Sequence, residues 1–279
     1  MKANTPGKKV WNSLAASISW RYRALVNRLQ VIAHAKEGGN NANSYILEDG
    51  RYDAARYWAD RHNRFRYSFR GVGNTSRSEV ENIRDYTHAV EAIANLLRSI
   101  SCEPRGKTML DIGCGNGFWT GIFQKWGVAR YTGIDITDAL FGQLRDRYPT
   151  LEFIAGDLPK LSLRSRFQIV TMIDVSQHVT SDTELQGMLA EVRSLLAKDG
   201  VFIVTFWNQE RPQENFYEAF RLFGFYTAAL NGMAHTEPMQ FRDKFIAAFY
   251  DPERQSEEVS AQPLAREDIA SIVKQILAI

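Results

Sequence analysis

The sequence predicts an α/β fold, in which a doubly wound and mainly parallel sheet carries helices on both faces and follows an N-terminal helical arm and cap. Short apolar runs alternate with helical periodicity between residues 105 and 209, as repeated strand–helix–strand units require. A glycine-rich turn follows the first of these runs, and later runs end in acidic residues. The 279 residues suffice for one large domain with substantial additions.

A turn with three glycines in five residues follows the first predicted strand. The apolar run Thr108–Ile112 before it is typical of a strand buried in a parallel sheet, and helical spacing begins at Phe118. Glycines at this density mark a turn where a ligand approaches the backbone closely. The sequence therefore predicts a nucleotide-binding corner at a helix N-terminus. The turn consists of Gly113, Cys114, Gly115, Asn116 and Gly117.

The spacing of this turn separates two classes of cofactor. Dinucleotide folds show G-x-G-x-x-G, whereas this chain reads D-x-G-x-G-x-G from Asp111. Asp111 would repel a pyrophosphate, but it suits a ligand with an ammonium group and no phosphate. Residues Leu110 to Gly117 resemble the first motif of the class I S-adenosylmethionine (SAM)-dependent methyltransferases, and this resemblance implies their Rossmann-like fold. A glycine turn in some other α/β protein is the alternative.

Acids near the ends of the next two predicted strands extend the resemblance. Asp135 lies near the end of a strand over 131–136, where a carboxylate can accept hydrogen bonds from both ribose hydroxyls. The resemblance assigns Asp157, after a strand over 151–155, to the adenine amino group. Either acid alone could cap a helix or a turn. The predicted cofactor contacts in these two places are Asp135, Ile136, Asp157 and Leu158.

The segment Tyr52–Tyr86 is dense in aromatic and arginine residues. It resembles the cap that precedes the core in some SAM methyltransferases of saccharide and natural-product pathways. The resemblance implies that Tyr57, Trp58 and Arg61 lie over the cofactor, since an arginine can hold its carboxylate and a ring can cover its sulfonium. Interleaved arginines and rings also occur in nucleic-acid grooves, but acids are mixed in here. Ordinary packing is the structural alternative.

Two polar residues after the fourth predicted strand, over 167–173, are the catalytic candidates. The fold would place Asp174 and His178 at the sulfonium end of the cofactor, with Asp174 also touching it. Methyl transfer from SAM is an in-line displacement, so the protein mainly aligns the reactants. A hydroxyl acceptor also benefits from a base, for which His178 has a suitable intrinsic pKa, although a structural hydrogen bond is its alternative role. A Ser-His-Asp triad with Ser176 is excluded because all three residues crowd one turn.

The pattern loosens beyond residue 207. The sequence predicts one strand over 240–250, whereas the resembled family ends in a hairpin of two strands. The C-terminal half of the acceptor site is therefore not determined by the sequence. Aromatic residues of a helix over 214–230 are expected above the pocket. Further helices are predicted over 80–100, 138–147, 185–196 and 264–279, and a fifth strand over 201–207. The predicted organisation is a basic arm and linker (1–43), a helical cap (44–104), a SAM-binding core (105–209), and a lid with C-terminal elements (210–279).

Charge is distributed unevenly along the chain. Residues 1–36 carry seven basic side chains and no acid, whereas the rest has 27 basic and 32 acidic ones. Apolar residues recur at helical spacing over 10–35, so the arm is predicted to be an amphipathic helix. Through residues 8–36 it could bind an anionic membrane surface, a partner protein or a second copy of the chain, or it could pack on the catalytic domain.

Cysteine usage and hydropathy indicate the compartment. Cys102 and Cys114 make no disulfide framework, which favours a reducing cytoplasm, with membrane contact only at the periphery. No apolar run reaches the length of a membrane span, and the N-terminus lacks signal-peptide features. The histidines His62, His88 and His235 have no spacing that indicates a metal site, so no metal is predicted.

These observations predict a SAM-dependent methyltransferase that yields S-adenosylhomocysteine. The expected acceptor is a small molecule or saccharide, methylated on a hydroxyl. A nucleic-acid methyltransferase or binder is the alternative that the basic arm permits, although an Asn-Pro-Pro-Tyr motif is absent after the fourth strand. A NAD-dependent oxidoreductase is the third alternative, and its glycine spacing does not match.

Overall fold

The computed structural model describes residues 42–66, 68–209, 216–254 and 266–277. The chain divides into two compact units, residues 1–51 and 52–279. The described part of the first unit is a 3-10 turn at Ala42–Tyr45 and a short segment in which Arg51 pairs with Asp49 at 2.7 Å. The predicted arm helix and most of its linker lie outside the described residues.

The second unit is built on an eight-stranded sheet. Five parallel strands lie in the order β3-β2-β1-β4-β5, as a doubly wound fold requires. The antiparallel strand β8 follows β5, and both β6 and β7 pair with β8. The strands are β1 (Thr108–Ile112), β2 (Arg130–Asp135), β3 (Glu152–Ala155), β4 (Phe167–Met172), β5 (Leu196–Phe206), β6 (Ala234–His235), β7 (Met239–Phe241) and β8 (Lys244–Tyr250).

Helices cover both faces of this sheet, which confirms the predicted fold class. Successive residues of β1 point to opposite faces, so Met109 enters the core beneath α2, α3, α4 and α7, while Leu110 enters the core beneath α5 and α6. Among the described residues, no helix is both long and apolar enough to span a bilayer. The helices are α1 (Ala54–Arg64), α2 (Glu79–Ser99), α3 (Phe118–Lys125), α4 (Phe141–Arg147), α5 (Asp182–Leu195), α6 (Phe223–Ala229) and α7 (Arg266–Leu277).

The predicted helix over 214–230 is wrong for the first half of its described length. The chain over 216–222 has no regular helix, and α6 begins only at Phe223. The Asn208 side chain accepts a hydrogen bond from the Phe223 backbone N–H at 2.9 Å, which satisfies one donor at the start of the helix. Phe223 stacks on Phe206, with ring centroids 5.3 Å apart, so it packs on the sheet and not above the pocket.

The predicted strand over 240–250 is in fact a hairpin. β7 ends at Phe241, Arg242 adopts a left-handed φ of 55°, and β8 begins at Lys244. A non-glycine residue in this conformation is uncommon, which explains why the run was predicted as a single strand despite its three charged residues. The chain therefore contains a C-terminal hairpin, of which the sequence predicted only one strand.

Two element boundaries also differ from the predictions for identifiable reasons. α5 begins at Asp182, three residues before the predicted start, because the Ser181 hydroxyl accepts the Glu184 backbone N–H at 3.3 Å. β5 begins at Leu196 and pairs with Phe167 before its register shifts, so the residues expected to close the helix belong to the strand.

Candidate cofactor and acceptor site

The glycine turn has the backbone conformation that its composition predicts. Gly113, Gly115 and Gly117 have φ values of 78°, 53° and 78°, in the region that favours glycine. A Cβ on Gly113 would lie 2.2 Å from Val175 Cγ2, and one on Gly115 would lie 2.9 Å from Val72 Cγ1. The turn thus needs glycine both for its conformation and for its space.

The other two residues of the turn serve the scaffold. Asn116 Oδ1 accepts a hydrogen bond from the Phe118 backbone N–H at 3.2 Å and so supports the start of α3. Cys114 is buried, and a Cβ on Gly133 of the next strand would meet its sulfur at 3.0 Å. Burial raises the pKa of the Cys114 thiol well above its ordinary value. Cys114 therefore offers a ligand its backbone and not its side chain.

The structure corrects the expected role of Asp111. Its side chain is buried, and its two oxygens accept hydrogen bonds from Tyr131 at 2.6 Å and Thr171 at 2.7 Å. The Tyr131 hydroxyl also lies 2.7 Å from Thr120 Oγ1, so the network joins β1, β2, β4 and α3. Burial raises the Asp111 pKa, and the two hydroxyls oppose that shift. Asp111 supports the turn from within the sheet and does not present its carboxylate to a ligand.

Asp135 lies against the glycine turn. Its oxygens accept the backbone N–H groups of Gly115 at 3.0 Å and Thr137 at 3.3 Å. Burial raises its pKa to about 6, against the effect of these donors. A carboxylate oxygen can accept more than one hydrogen bond, so contact with ribose hydroxyls stays a prediction that this position permits. The half-buried Ile136 follows directly.

Asp157 and Leu158 lie after β3 and differ in exposure. The side chain of Asp157 is 32% exposed, and its carboxylate pairs with Lys160 at 3.1 Å. Its predicted hydrogen bond to adenine stays a prediction. Leu158 is fully buried in the core beneath α5, so only its backbone could contact a cofactor.

The cap is held by Arg61 of α1. Its guanidinium donates to the Tyr57 hydroxyl at 3.2 Å, to the Arg70 carbonyl at 3.2 Å and to the Gly73 carbonyl. It also lies 4.8 Å from the centroid of the Trp58 ring. Its buried Nε–H has no hydrogen-bond partner among the described residues. The predicted contact with the cofactor carboxylate would use this Nε–H, because the terminal nitrogens already hold the cap.

His178 lies between the cap and the segment Phe216–Leu222, called the lid from here on. Its Nδ1 is 2.9 Å from the Tyr217 carbonyl, and its ring meets the Trp58 ring edge-on with centroids 4.9 Å apart. Because a carbonyl only accepts, Nδ1 carries the proton. Nε2 is then the basic nitrogen, and it accepts a hydrogen bond from Gln177 Nε2 at 3.3 Å. Burial lowers the His178 pKa, although Glu218 opposes the shift. At neutral pH the ring is an uncharged base.

Arg221 anchors the lid to the loop after β4. The side chain is 4% exposed and donates to the Val179 carbonyl at 2.8 Å and the Ser176 carbonyl at 3.4 Å. It also pairs with Asp182 at 2.8 Å, and the lid residue Ala219 donates its N–H to the same loop. These bonds hold the lid backbone where the Tyr217 carbonyl meets His178.

The structure holds Asp174, the other catalytic candidate from sequence, in ion pairs, and its contact with the cofactor stays a prediction. Its backbone has a φ of 59° and donates to Thr205 Oγ1 at 2.7 Å. Its carboxylate pairs with Arg242 and, at 3.0 Å, with Lys244. Burial alone would raise the Asp174 pKa, but the two cations outweigh it and hold the pKa well below its ordinary range. Asp174 is therefore an ion-pair centre and a poor base.

Sequence reasoning missed the site residues of the lid and the hairpin. The one available signal was the run Arg242-Asp243-Lys244, which interrupts an otherwise apolar stretch. Charged residues inside a strand-like run indicate a turn or a site. The described residues contain no group of three His, Cys, Asp or Glu side chains arranged to hold a metal ion. The missed residues are Trp207, Tyr217, Arg221, Arg242 and Lys244.

The chain is similar to known methyltransferases. Residues 109–200 match the methyltransferase domain family. The chain is 28% identical over 169 residues to the mRNA cap guanine-N(7) methyltransferase of Cryptococcus neoformans, with 53% of this chain and 26% of that protein covered. It is also 28% identical over 126 residues to the malonyl-[acyl-carrier protein] O-methyltransferase of Acetivibrio thermocellus, covering 43% and 44%. The chain thus spans less than half the length of these relatives.

A solved structure shows the same fold. The magnesium protoporphyrin IX methyltransferase of Synechocystis PCC 6803, determined with bound S-adenosylhomocysteine, aligns with a TM-score of 0.53 and 18% identity. The alignment covers 69% of this chain and 94% of that chain. At this identity the likeness establishes the fold and leaves the acceptor to the chemistry of the site.

Proposed function

We propose that this chain, whose residues 109–200 match the methyltransferase domain family, is a class I SAM-dependent methyltransferase that methylates a hydroxyl of a small molecule or saccharide, with His178 as the base. One observation carries the proposal. The Tyr217 carbonyl fixes the proton of His178 on Nδ1, so the basic Nε2 belongs to a neutral ring within the site.

The residues at the glycine turn fit the cofactor. The left-handed glycines leave room where a Cβ would clash with Val72 or Val175, and Asp135 supplies an acceptor beside the turn. When bound, SAM supplies a methyl group on a positively charged sulfur. The backbone of the turn, Asp135, Asp157 and the Nε–H of Arg61 would hold it.

A neutral His178 suits a hydroxyl acceptor. A hydroxyl must lose its proton during transfer, whereas an amine needs only to arrive uncharged. General-base catalysis of this kind typically contributes about a hundredfold to ten-thousandfold in rate. The ring cannot easily turn away, because the Tyr217 carbonyl holds one side and the Trp58 ring packs against it.

Aromatic rings from the cap and the lid pack around this base and would exclude water from it. The Tyr57 and Tyr217 rings stack with centroids 5.2 Å apart, and Phe216 packs edge-on against Tyr57 at 5.7 Å. Removing water strengthens electrostatic interactions inside the site and prevents water from taking the place of the acceptor.

The similarity to an mRNA cap methyltransferase favours a second candidate, methylation of a nucleic-acid base. A ring nitrogen that attacks through a lone pair needs no general base. The two candidates therefore differ in their dependence on His178.

Labelled SAM should be tested with saccharides, phenols, amines, carboxylic acids and capped RNA as acceptors. For a hydroxyl acceptor, His178→Gln is expected to lower kcat roughly a hundredfold, with S-adenosylhomocysteine affinity within about twofold of the original. The exposed His88 of α2 provides the control His88→Gln, which should leave both quantities unchanged. Transfer to RNA alone, insensitive to His178→Gln, would replace the proposal by the second candidate.

We also propose that the basic arm, residues 8–36, binds an anionic membrane surface. Each basic side chain near such a surface contributes about 1 kcal/mol, and the apolar residues of the segment would add to that. In co-sedimentation, the full chain should pellet with anionic vesicles at low salt and separate from them at high salt. A chain that starts near Gly38 should stay in solution. Full-length protein that ignores the vesicles, or a truncated chain that cannot fold, would assign the arm a structural role on the catalytic domain or a second copy.

A further inference from the structure

Three segments bring charged and aromatic side chains together at the carboxyl edge of the sheet. Asp174 follows β4, Trp207 follows β5, and Arg242 and Lys244 come from the turn between β7 and β8. Since Phe206 pairs with Phe245, this turn lies at the end of β5 that also carries Trp207. The four side chains Asp174, Trp207, Arg242 and Lys244 are called the hairpin cluster below.

The hairpin cluster contains buried donors without acceptors. Arg242 Nε and Trp207 Nε1 are inaccessible to solvent and have no hydrogen-bond partner among the described residues. Leaving a buried N–H without an acceptor is costly, so such groups in a native site indicate a ligand or bound water. Neither nitrogen can accept a hydrogen bond. The complementary ligand atom is therefore a hydrogen-bond acceptor, such as an oxygen of a carboxylate or phosphate.

The charges of the cluster indicate the same ligand. Arg242 and Lys244 share one buried carboxylate, that of Asp174, and their side chains are only 12% and 10% exposed. The second nearby acid, Asp243, lies 3.7 Å from Lys244, but its side chain is 52% exposed and its charge is screened by solvent. Two buried cations against one buried anion leave a positive charge that an oxyanion would neutralise.

Aromatic packing fixes the two cations in place. The Arg242 guanidinium lies over the rings of Tyr86 at 5.3 Å and Phe241 at 4.8 Å, and the Lys244 ammonium lies 4.7 Å from the centroid of the Trp207 ring. A cation held over ring faces loses little further freedom when it binds an anion. The cluster is thus preorganised.

The cluster lies within electrostatic reach of the proposed base. Burial is the main reason for the lowered His178 pKa, and the charges of Arg61 and Lys244 lower it further. The cofactor brings one carboxylate, for which Arg61 has a separate Nε–H in the cap. An anion at the hairpin cluster must then come from the other reactant.

We propose that Arg242, Lys244 and Trp207 bind the oxyanion group of the methyl acceptor, so that the acceptor is an acidic small molecule bearing a carboxylate or phosphate. The identification of this ligand as the acceptor rests on the proposed function. Binding of the anion itself can be measured without turnover, so the two can fail separately.

The probes are benzoate, inorganic phosphate and the neutral benzoate analogue benzamide, each titrated by calorimetry into the full chain saturated with S-adenosylhomocysteine. Benzoate or phosphate should bind at least tenfold more tightly than benzamide binds. Arg242→Gln and Lys244→Met should each weaken that binding tenfold or more and leave S-adenosylhomocysteine affinity within twofold. The control Lys198→Gln removes an equal charge from an exposed position at the opposite end of β5 and should change neither affinity.

Three results would overturn the proposal. Equal binding of benzoate and benzamide, or no binding of either anion, would exclude an oxyanion site. Loss of S-adenosylhomocysteine affinity in both variants would assign the cluster to the cofactor. Thermal unfolding would show whether a variant fails to fold. In that case the proposal is tested by comparing benzoate with benzamide in the unmodified protein. The variant Lys244→Arg provides a second test, because it keeps the charge and should keep the binding.

Discussion

The glycine turn and the surroundings of His178, which are the proposed cofactor half and the proposed acceptor half of the site, are held by different interactions. Around the glycine turn, the structure depends on left-handed backbone and on space, with Asp135 accepting the N–H of Gly115. Around His178, it depends on side chains and carbonyls from distant segments, such as the pairs His178–Tyr217 and Asp174–Lys244, which are 39 and 70 residues apart in sequence.

This difference determines what each half tolerates. Added volume disrupts the cofactor half, because the glycines have no room for a Cβ. Removal of a charge or a donor disrupts the acceptor half, because buried polar groups lose their partners. Substitutions that change only volume or only charge should therefore separate the two halves.

The largest effect is expected at Gly113. A left-handed φ costs an alanine about 1–2 kcal/mol, and the 2.2 Å approach to Val175 adds about 1–3 kcal/mol of overpacking. Gly113→Ala should thus lower the free energy of unfolding by about 2–5 kcal/mol, measured by urea denaturation. Gly142 lies in α4 with open space around it, so Gly142→Ala should be neutral or slightly stabilising. If both substitutions lowered the free energy of unfolding equally, added volume would not be what disrupts the cofactor half.

A smaller effect is expected at Arg221, whose loss frees the lid. Arg221→Gln removes charged hydrogen bonds to the carbonyls of Ser176 and Val179 and should lower the free energy of unfolding by about 2–3 kcal/mol. Nitrogen NMR of His178 should also show a mixture of tautomers, in which only some molecules carry the proton on Nδ1. Asp182→Asn breaks only the ion pair, whose carboxylate partner is 70% exposed, and should cost less than about 1 kcal/mol. A single tautomer in Arg221→Gln would show that the lid does not position the base.

The smallest effect concerns pH. Burial raises the Asp135 pKa to about 6, so the carboxylate is progressively protonated below that pH. If it accepts the ribose hydroxyls, S-adenosylhomocysteine affinity should fall roughly tenfold between about pH 7.5 and pH 5, and Asp135→Asn should remove this dependence. The raised pKa also means that the folded state without cofactor takes up the proton more readily than the unfolded state. The Asp135 contribution to stability should then increase as pH falls from about 6 toward 3.8, opposite to the affinity.

The parallel core and the glycine turn could be predicted from sequence because their signals are local. β1 is a short run without glycine or proline that is apolar at three of its five positions, and the conformations of Gly113 and Gly115 follow from their residue type. The role of Asp111 could not be predicted in this way. Its partners Tyr131 and Thr171 lie 20 and 60 residues away, and only the assembled strands bring their hydroxyls to its carboxylate.

The acceptor half escaped prediction for a related reason. Arg242 makes a turn without glycine, so a largely apolar run with charges near its start resembled one strand. Its ion pair with Asp174 crosses 68 residues of sequence, and the carbonyl that orients His178 carries no side-chain signal. His178 itself was identified from sequence, but its proton position depends on the lid.

The pairing of β8 with β5 means that one edge of the sheet stays uncovered during part of the chain's synthesis. β5 is buried along Val201–Phe206, and β8 covers its outer edge through six antiparallel residue pairs. A ribosome that has completed β5 must still add about forty residues before that edge is covered. Until then the nascent chain presents an apolar strand with unpaired backbone groups, which is a template for aggregation. A transcript truncated before Lys244 should therefore yield insoluble protein, even though it encodes the whole glycine turn and all five parallel strands.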